Sequence, residues 1–229
     1  MKKAKVKKQI TKPKRQALSK DKILRKALEI ADAGGLASLS MRSLAKQLNV
    51  EAMSLYKHIK NKEDVLDGLA DLVILEMKLA PLDANWKDAI HIRSHSAREV
   101  FRKHAWAPAI FESRIVPSVA RLEYIENIFS ILTANGFSIT KAYRINLIVD
   151  SYVYGFNVQE ANWRFDSIPD EEIIESEDNP FKLVENYPKT FEFMKIFLDN
   201  KHKNQLKKMC DEDFHFGIEQ IIQGIDDEL

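Results

Sequence analysis

The chain has 229 residues, 45% apolar and 30% charged, the balance of an ordinary globular protein with room for one large domain or one small and one medium domain. No apolar run approaches the roughly 18 residues that cross a bilayer, and the basic N-terminus has no apolar segment behind it, so neither a membrane span nor a secretory signal is expected. Net charge is only +1, but residues 1–62 carry 17 Lys and Arg against 4 Asp and Glu, and the rest carries 18 against 30, so the chain divides into +13 and −12.

A basic front attracts a polyanion and an acidic rear does not. Gly and Pro are scarce, seven each, and Leu, Ile, Ala, Lys and Glu dominate, a mixture that favours helices. The single Cys210 excludes an intrachain disulfide and points to a reducing, cytoplasmic compartment.

Residues 1–17 hold eight basic residues and no acid, so they read as a disordered basic arm able to add phosphate or minor-groove contacts, or as a solubilising tail. Ser19 is a plausible N-cap for a first helix that ends at Gly34-Gly35, with Ile23, Ala27 and Ile30 on one face. Ser40 caps a second helix with an apolar stripe of Leu44, Ala45 and Leu48. Asn49 then suits the left-handed residue of a tight turn. A third helix is expected over Glu51 to Ile59, and Asn61 caps a fourth, Lys62 to Ala80, that stops at Pro81.

Two short helices joined by a tight turn, with a third in front, form a helix-turn-helix unit. Its second helix enters the major groove with its N-terminal residues leading. Those are Ala52, Met53 and Ser54, followed by Tyr56, Lys57 and His58. Ser, Tyr and Lys suit phosphate oxygens, while Ser54, Ala52 and Met53 suit base edges and thymine methyls. Ser40 and Arg42 open the preceding helix. Lys62 lies in the first turn of the fourth helix, where free backbone amides also hold a phosphate.

The segment "SMRSLAKQLNVEAMSLYKHIKNKEDVL" resembles the TetR (tetracycline repressor-like) family, whose signature reads "LA…LGV" and then "LY.HF.NK..L". Asn49 stands where that family more often has Gly, and Ile59 where it has Phe. Residues 18–64 are then the helix-turn-helix DNA-binding domain, and 65–229 a helical effector-binding and dimerisation domain.

In the second domain an amphipathic helix runs from about Asn85 to Lys103, with a turn near Pro108. A second ends at Asn135-Gly136, and a long helix follows from about Ile139. The acidic stretch "DSIPDEEIIESEDNP" reads as a loop, a helix follows Pro188, and a last helix closes the chain from Cys210. "NWKDA", "NGFS" and "FHFGIEQIIQG" resemble the tetracycline-repressor branch of the same family. That resemblance implies a homodimer through the long and last helices, with Phe216, Ile218, Ile221 and Ile225 at the interface. It also implies a small-molecule effector, for which Arg93, Phe101, Trp106, Phe111, Tyr143, Asn146 and Tyr152 are candidate lining residues. A drug-bound magnesium site is not implied, because Arg93, Ile128 and Phe111 stand near the family's Asn, Gln and His.

His91 and His95 share one helical face, but position 92 is Ile where a metalloprotease helix has Glu, and they read as ordinary helix histidines. No catalytic motif occurs, so no enzyme, cofactor or metal is expected. The fold expected is all-α, a three-helix DNA-binding head on a helical bundle. The function expected is a repressor that binds a palindromic double-stranded DNA operator as a homodimer and is released by an effector. A second reading is a small-molecule-binding or interaction module whose basic front binds an anionic membrane or RNA without sequence preference.

Overall fold

Ser19 accepts a hydrogen bond from the Lys22 amide and opens α1 (Lys20–Ser38). The computed structural model describes residues 17–113, 118–162, 184, 186–199 and 203–226, and among them there are ten helices and no strand. The regular part of α1 stops at the predicted glycines: Gly34 leaves helical geometry and Gly35 takes φ of 69°. A separate closing turn follows, held by the Ser38 hydroxyl donating to the carbonyls of Ile30 and Gly35.

Ser40 and Ser43 cap α2 (Met41–Leu48) reciprocally, each side chain bonding the other's backbone amide. Asn49 ends it in the left-handed region at φ 52°, ψ 50°. The third helix is shorter than expected. Only Ala52–Leu55 is helical (α3), because Glu51 offers no side-chain cap and the chain turns through residues 56–58 to bury Ile59 beneath Leu55. Asn61 accepts from the Asp64 amide and starts α4 (Lys62–Glu76). This helix ends four residues before Ala80. Met77 turns to extended geometry, and the next free amide, Lys78, is taken by the Ser96 hydroxyl at 2.7 Å.

The remaining elements are α5 (Trp86–Lys103), α6 (Ala107–Ser113), α7 (Val119–Ala134), α8 (Ile139–Asn162), α9 (Pro188–Asp199) and α10 (Lys203–Asp226). Pro108 lies inside α6 rather than in a turn, in the first helical turn where its missing N–H costs no helical bond. The last helix begins seven residues before Cys210. The acidic stretch 166–180 and the basic arm up to residue 16 lie outside the described residues. No helix among the described residues is long and apolar enough to cross a membrane.

Two cores form. The head buries Ile23, Ala27, Leu44, Leu55 and Ile59, and it takes in Val65 and Leu69 beyond residue 64. The body buries Trp86, Ile90, Phe101, Ile131, Ile145, Val149 and Phe214 between α5, α7, α8 and α10, together with Val73, Ile74 and Met77. So α4 contributes its first half to one core and its second half to the other. At Gly68 a β-carbon would stand 2.6 Å from the Leu24 methyls, so α1 and α4 meet there with no room for a side chain. At Gly217 it would stand 2.1 Å from the Tyr152 hydroxyl, the same condition between α8 and α10. Buried Arg98 adds a polar tie, reaching Glu160 of α8 with two donors and the Cys210 carbonyl of α10 at 2.8 Å.

Candidate nucleic-acid interface and effector cavity

None of the nine residues expected to meet DNA is buried. Arg42, Met53, Tyr56, Lys57, His58 and Lys62 are exposed, and Met53 stands 75% free, with no apolar neighbour covering it. Ala52 and Ser54 are half-buried, and Ala52 leans on the head core. Ser40 is exposed, but its hydroxyl is occupied in the cap of α2.

The ion pairs separate two kinds of cation. Lys20, Arg25 and Lys26 are each neutralised by Asp64, Asp21 and Glu29. Arg42, Lys57 and Lys62, with Lys46, form no ion pair among the described residues. The unpaired charge therefore gathers on α2, on the turn after α3 and at the start of α4, where a helix-turn-helix unit meets a duplex. Lys46 was not singled out in the sequence, although its proximity to the motif was a signal.

In the body a cavity of about 240 Å³ opens among α4, α5, α6, α7 and α8. Of the expected lining residues, Arg93, Phe111, Tyr143 and Asn146 line it. Arg93 is buried. It donates to the Tyr124 carbonyl at 3.0 Å and to Asp150 at 3.2 Å, and its guanidinium lies 3.7 Å from the centre of the Tyr124 ring. Burial pushes the Tyr124 phenol up to about 12 against the pull of Arg93, so it stays neutral and able to donate. Asn146 donates to Asp150 at 3.0 Å, while its own Oδ1 is buried without a partner. Asp150, Tyr124 and Tyr154 belong to this wall and were not singled out in the sequence. A lone Asp in the apolar run "INLIVDSYVYG" was the available signal.

Phe101, Trp106 and Tyr152 lie elsewhere. Phe101 is core, packed edge-on to Tyr154 and tilted on Phe111 behind the wall. Tyr152 turns toward α10, its hydroxyl donating to the carbonyls of Asp213 and Phe214. Trp106 donates its indole N–H to Asp32 of α1 at 2.8 Å. The same carboxylate oxygen faces Nδ1 of fully buried His104 at 2.7 Å. His104 Nε2 faces Glu76 at the end of α4 at 3.4 Å, wide of good hydrogen-bond geometry. This polar group joins the head to the corner between α5 and α6.

The expected interface residues divide too. Ile218 and Ile225 point into their own protomer, where they pack in the body core. Ile221 is half-buried and Phe216 is 65% exposed. Leu147 and Ile148 of α8 are half exposed as well, so the outward apolar face of the bundle belongs to α8 as much as to α10.

Two family models match separate stretches of the chain. Residues 23–69 match the family model described as bacterial regulatory proteins, tetR family, and residues 80–229 match the tetracyclin repressor-like C-terminal domain. An HTH-type transcriptional regulator of Saccharopolyspora erythraea is 36% identical over 149 residues, 64% of this chain and 63% of that protein. The class D tetracycline repressor protein of Escherichia coli is 24% identical over 216 residues, covering 93% of this chain and 91% of the repressor. Among solved structures, the Streptomyces coelicolor TetR family protein ActR in complex with actinorhodin superposes with a TM-score of 0.68 at 23% identity, over 91% of this chain and 95% of that one.

Proposed function

We propose, for a chain that belongs to the tetR family of bacterial regulatory proteins, that it is a transcriptional repressor binding a palindromic DNA operator as a homodimer and leaving it when a small molecule fills the body cavity. One observation carries the reading. Ile74 and Met77 line the cavity, while Val65 and Leu69, on the same helix, are built into the head core. A ligand that moves the C-terminal end of α4 therefore moves the head. Such coupling is allosteric when operator and effector each favour a different setting of that helix.

The unpaired cations and exposed Met53 and Tyr56 support a duplex as the head's partner. Exposed Leu147, Ile148 and Phe216 support pairing of two protomers through α8 and α10, and two heads read two half-sites. The cavity walls indicate an effector with aromatic or apolar surface and at least one N–H or O–H to meet the orphaned Asn146 oxygen. ActR, which shares this fold, is in complex with actinorhodin, which supports a small-molecule ligand. The reading assigns the chain no catalysis and places it in the bacterial cytoplasm, where the operator is.

The test is selection of bound duplexes from a random library by the purified full chain. A common palindrome with steep salt dependence is the expected result. Recovery of unrelated sequences, together with equal binding to RNA or anionic vesicles, would overturn the operator reading.

A further inference from the structure

His91 and His95 are one helical turn apart on α5, and their rings stack at 6.0 Å between centres. Across the groove, His215 and Glu219 are one turn apart on α10, and the His215 ring lies 5.8 and 5.9 Å from the other two. One ring nitrogen from each histidine lies within 4.8 Å of the others. Glu219 joins from the fourth corner, its Oε1 at 3.1 Å from His91 Nε2 and 3.6 Å from His215 Nε2.

Three histidines from two neighbouring helices converge, and Glu219 stands beside two of them, together the four ligand groups that a tetrahedral zinc-type site takes. We propose that His91, His95, His215 and Glu219 form a divalent transition-metal site, zinc the best fit, that clamps α10 to α5. Three imidazoles and one carboxylate suit zinc, copper or nickel, and not calcium or magnesium, which require oxygen ligands. A zinc–nitrogen bond of about 2.1 Å sets ligand nitrogens roughly 3.4 Å apart in a tetrahedron. The histidine nitrogens already lie within 4.8 Å of one another, on two half-buried rings and one exposed ring. Arg98, the nearest buried cation, is already neutralised by Glu160 and Asp211.

The site is separate from the effector cavity. Arg93 lies midway between His91 and His95 in sequence, and so on the opposite side of α5. The sequence alone presented only the α5 pair. The fold brings the second pair to it from more than a hundred residues away.

The experiment uses the full chain stripped of metal with a chelator and titrated with cobalt(II), then with zinc(II). Expected are visible d–d bands of tetrahedral cobalt that saturate at one ion per chain and vanish on adding zinc. Zinc should also raise the thermal midpoint. His215→Ala and His95→Gln should each weaken binding by about 100-fold or more, a loss at least as large as second-shell changes bring. His215 is exposed, so its replacement leaves the fold intact, and circular dichroism checks this. The proposal is overturned by absence of the bands at stoichiometric cobalt, by unchanged affinity in both variants, or by a thiolate-to-cobalt band that would place the metal on Cys210.

Discussion

His104 Nδ1 lies 2.7 Å from Asp32 Oδ1, and that contact fastens the corner after α5 to the first helix of the head. His104 is fully buried, and the same oxygen also takes the Trp106 indole. Asp32→Ala removes both partners and leaves a buried imidazole and an indole N–H unsatisfied. The expected cost is about 1–3 kcal/mol. At roughly 2–4 °C per kcal/mol for a chain of this length, the loss is visible in a thermal melt. An unchanged midpoint would show that the carboxylate contributes nothing to the joint.

Acid should loosen the same region. The Lys20 side chain, and after it the Lys60 amide, hold the Asp64 carboxyl below its ordinary value. Burial raises Glu76, but the hydrogen bond from Lys103, with the His104 ring facing the same carboxylate, prevails and it too ends below its ordinary value. A carboxylate lowered on folding stabilises fully above its unfolded value of about 4 and loses that contribution as pH falls through the folded one. Stability measured by urea unfolding should therefore decline on acidification below about pH 4. Asp64→Asn should flatten that decline, and an equally steep curve in the variant would refute the assignment.

Lys57→Ala and Lys62→Ala are each expected to weaken binding to all duplexes alike and to reduce the slope of log affinity against log salt by about 1. Met53→Ala is expected to leave the slope alone and change which sequences are preferred. A slope that stays constant in both lysine variants would place these residues away from the phosphates.

Asn49 holds the only positive φ of a non-glycine residue among those described. Asn49→Gly should be neutral or slightly favourable in a melt. Asn49→Val should cost about 1–2 kcal/mol, because a branched side chain meets its own backbone there. Equal stability of the two would mean that the turn relaxes to another geometry.

Leu147→Asp with Ile148→Asp should yield a folded monomer in sedimentation and abolish cooperative operator binding. Ile218→Asp should unfold the chain instead, because that side chain is fully buried within its protomer. A double aspartate variant that stays dimeric would move the interface off α8.

The legible and illegible parts of this protein differ in range. Ser19, Ser40, Asn49, Asn61 and Asn85 marked helix ends correctly because a cap is settled by atoms within three or four residues. The residues expected to face DNA follow from those ends, and none of them is buried. The cavity did not, because the pairing of Arg93 with Asp150 spans 57 residues and no periodicity encodes it. The last helix shows the same limit. Spacing identified Ile218 and Ile225 as one apolar face, but whether that face meets its own bundle or a second copy depends on where α5 and α8 stand. Tyr152 was legible as an aromatic on a central helix, and only the close approach at Gly217 turns it toward α10 rather than the cavity.

The division of charge along the chain also governs how the protein arrives. A body that is positive at one end and negative along the rest turns in the field of a polyanion before touching it. On the proposed reading, a duplex draws the basic head toward itself and repels the acidic remainder of the chain, so charge alone sets which part of the protein meets DNA first.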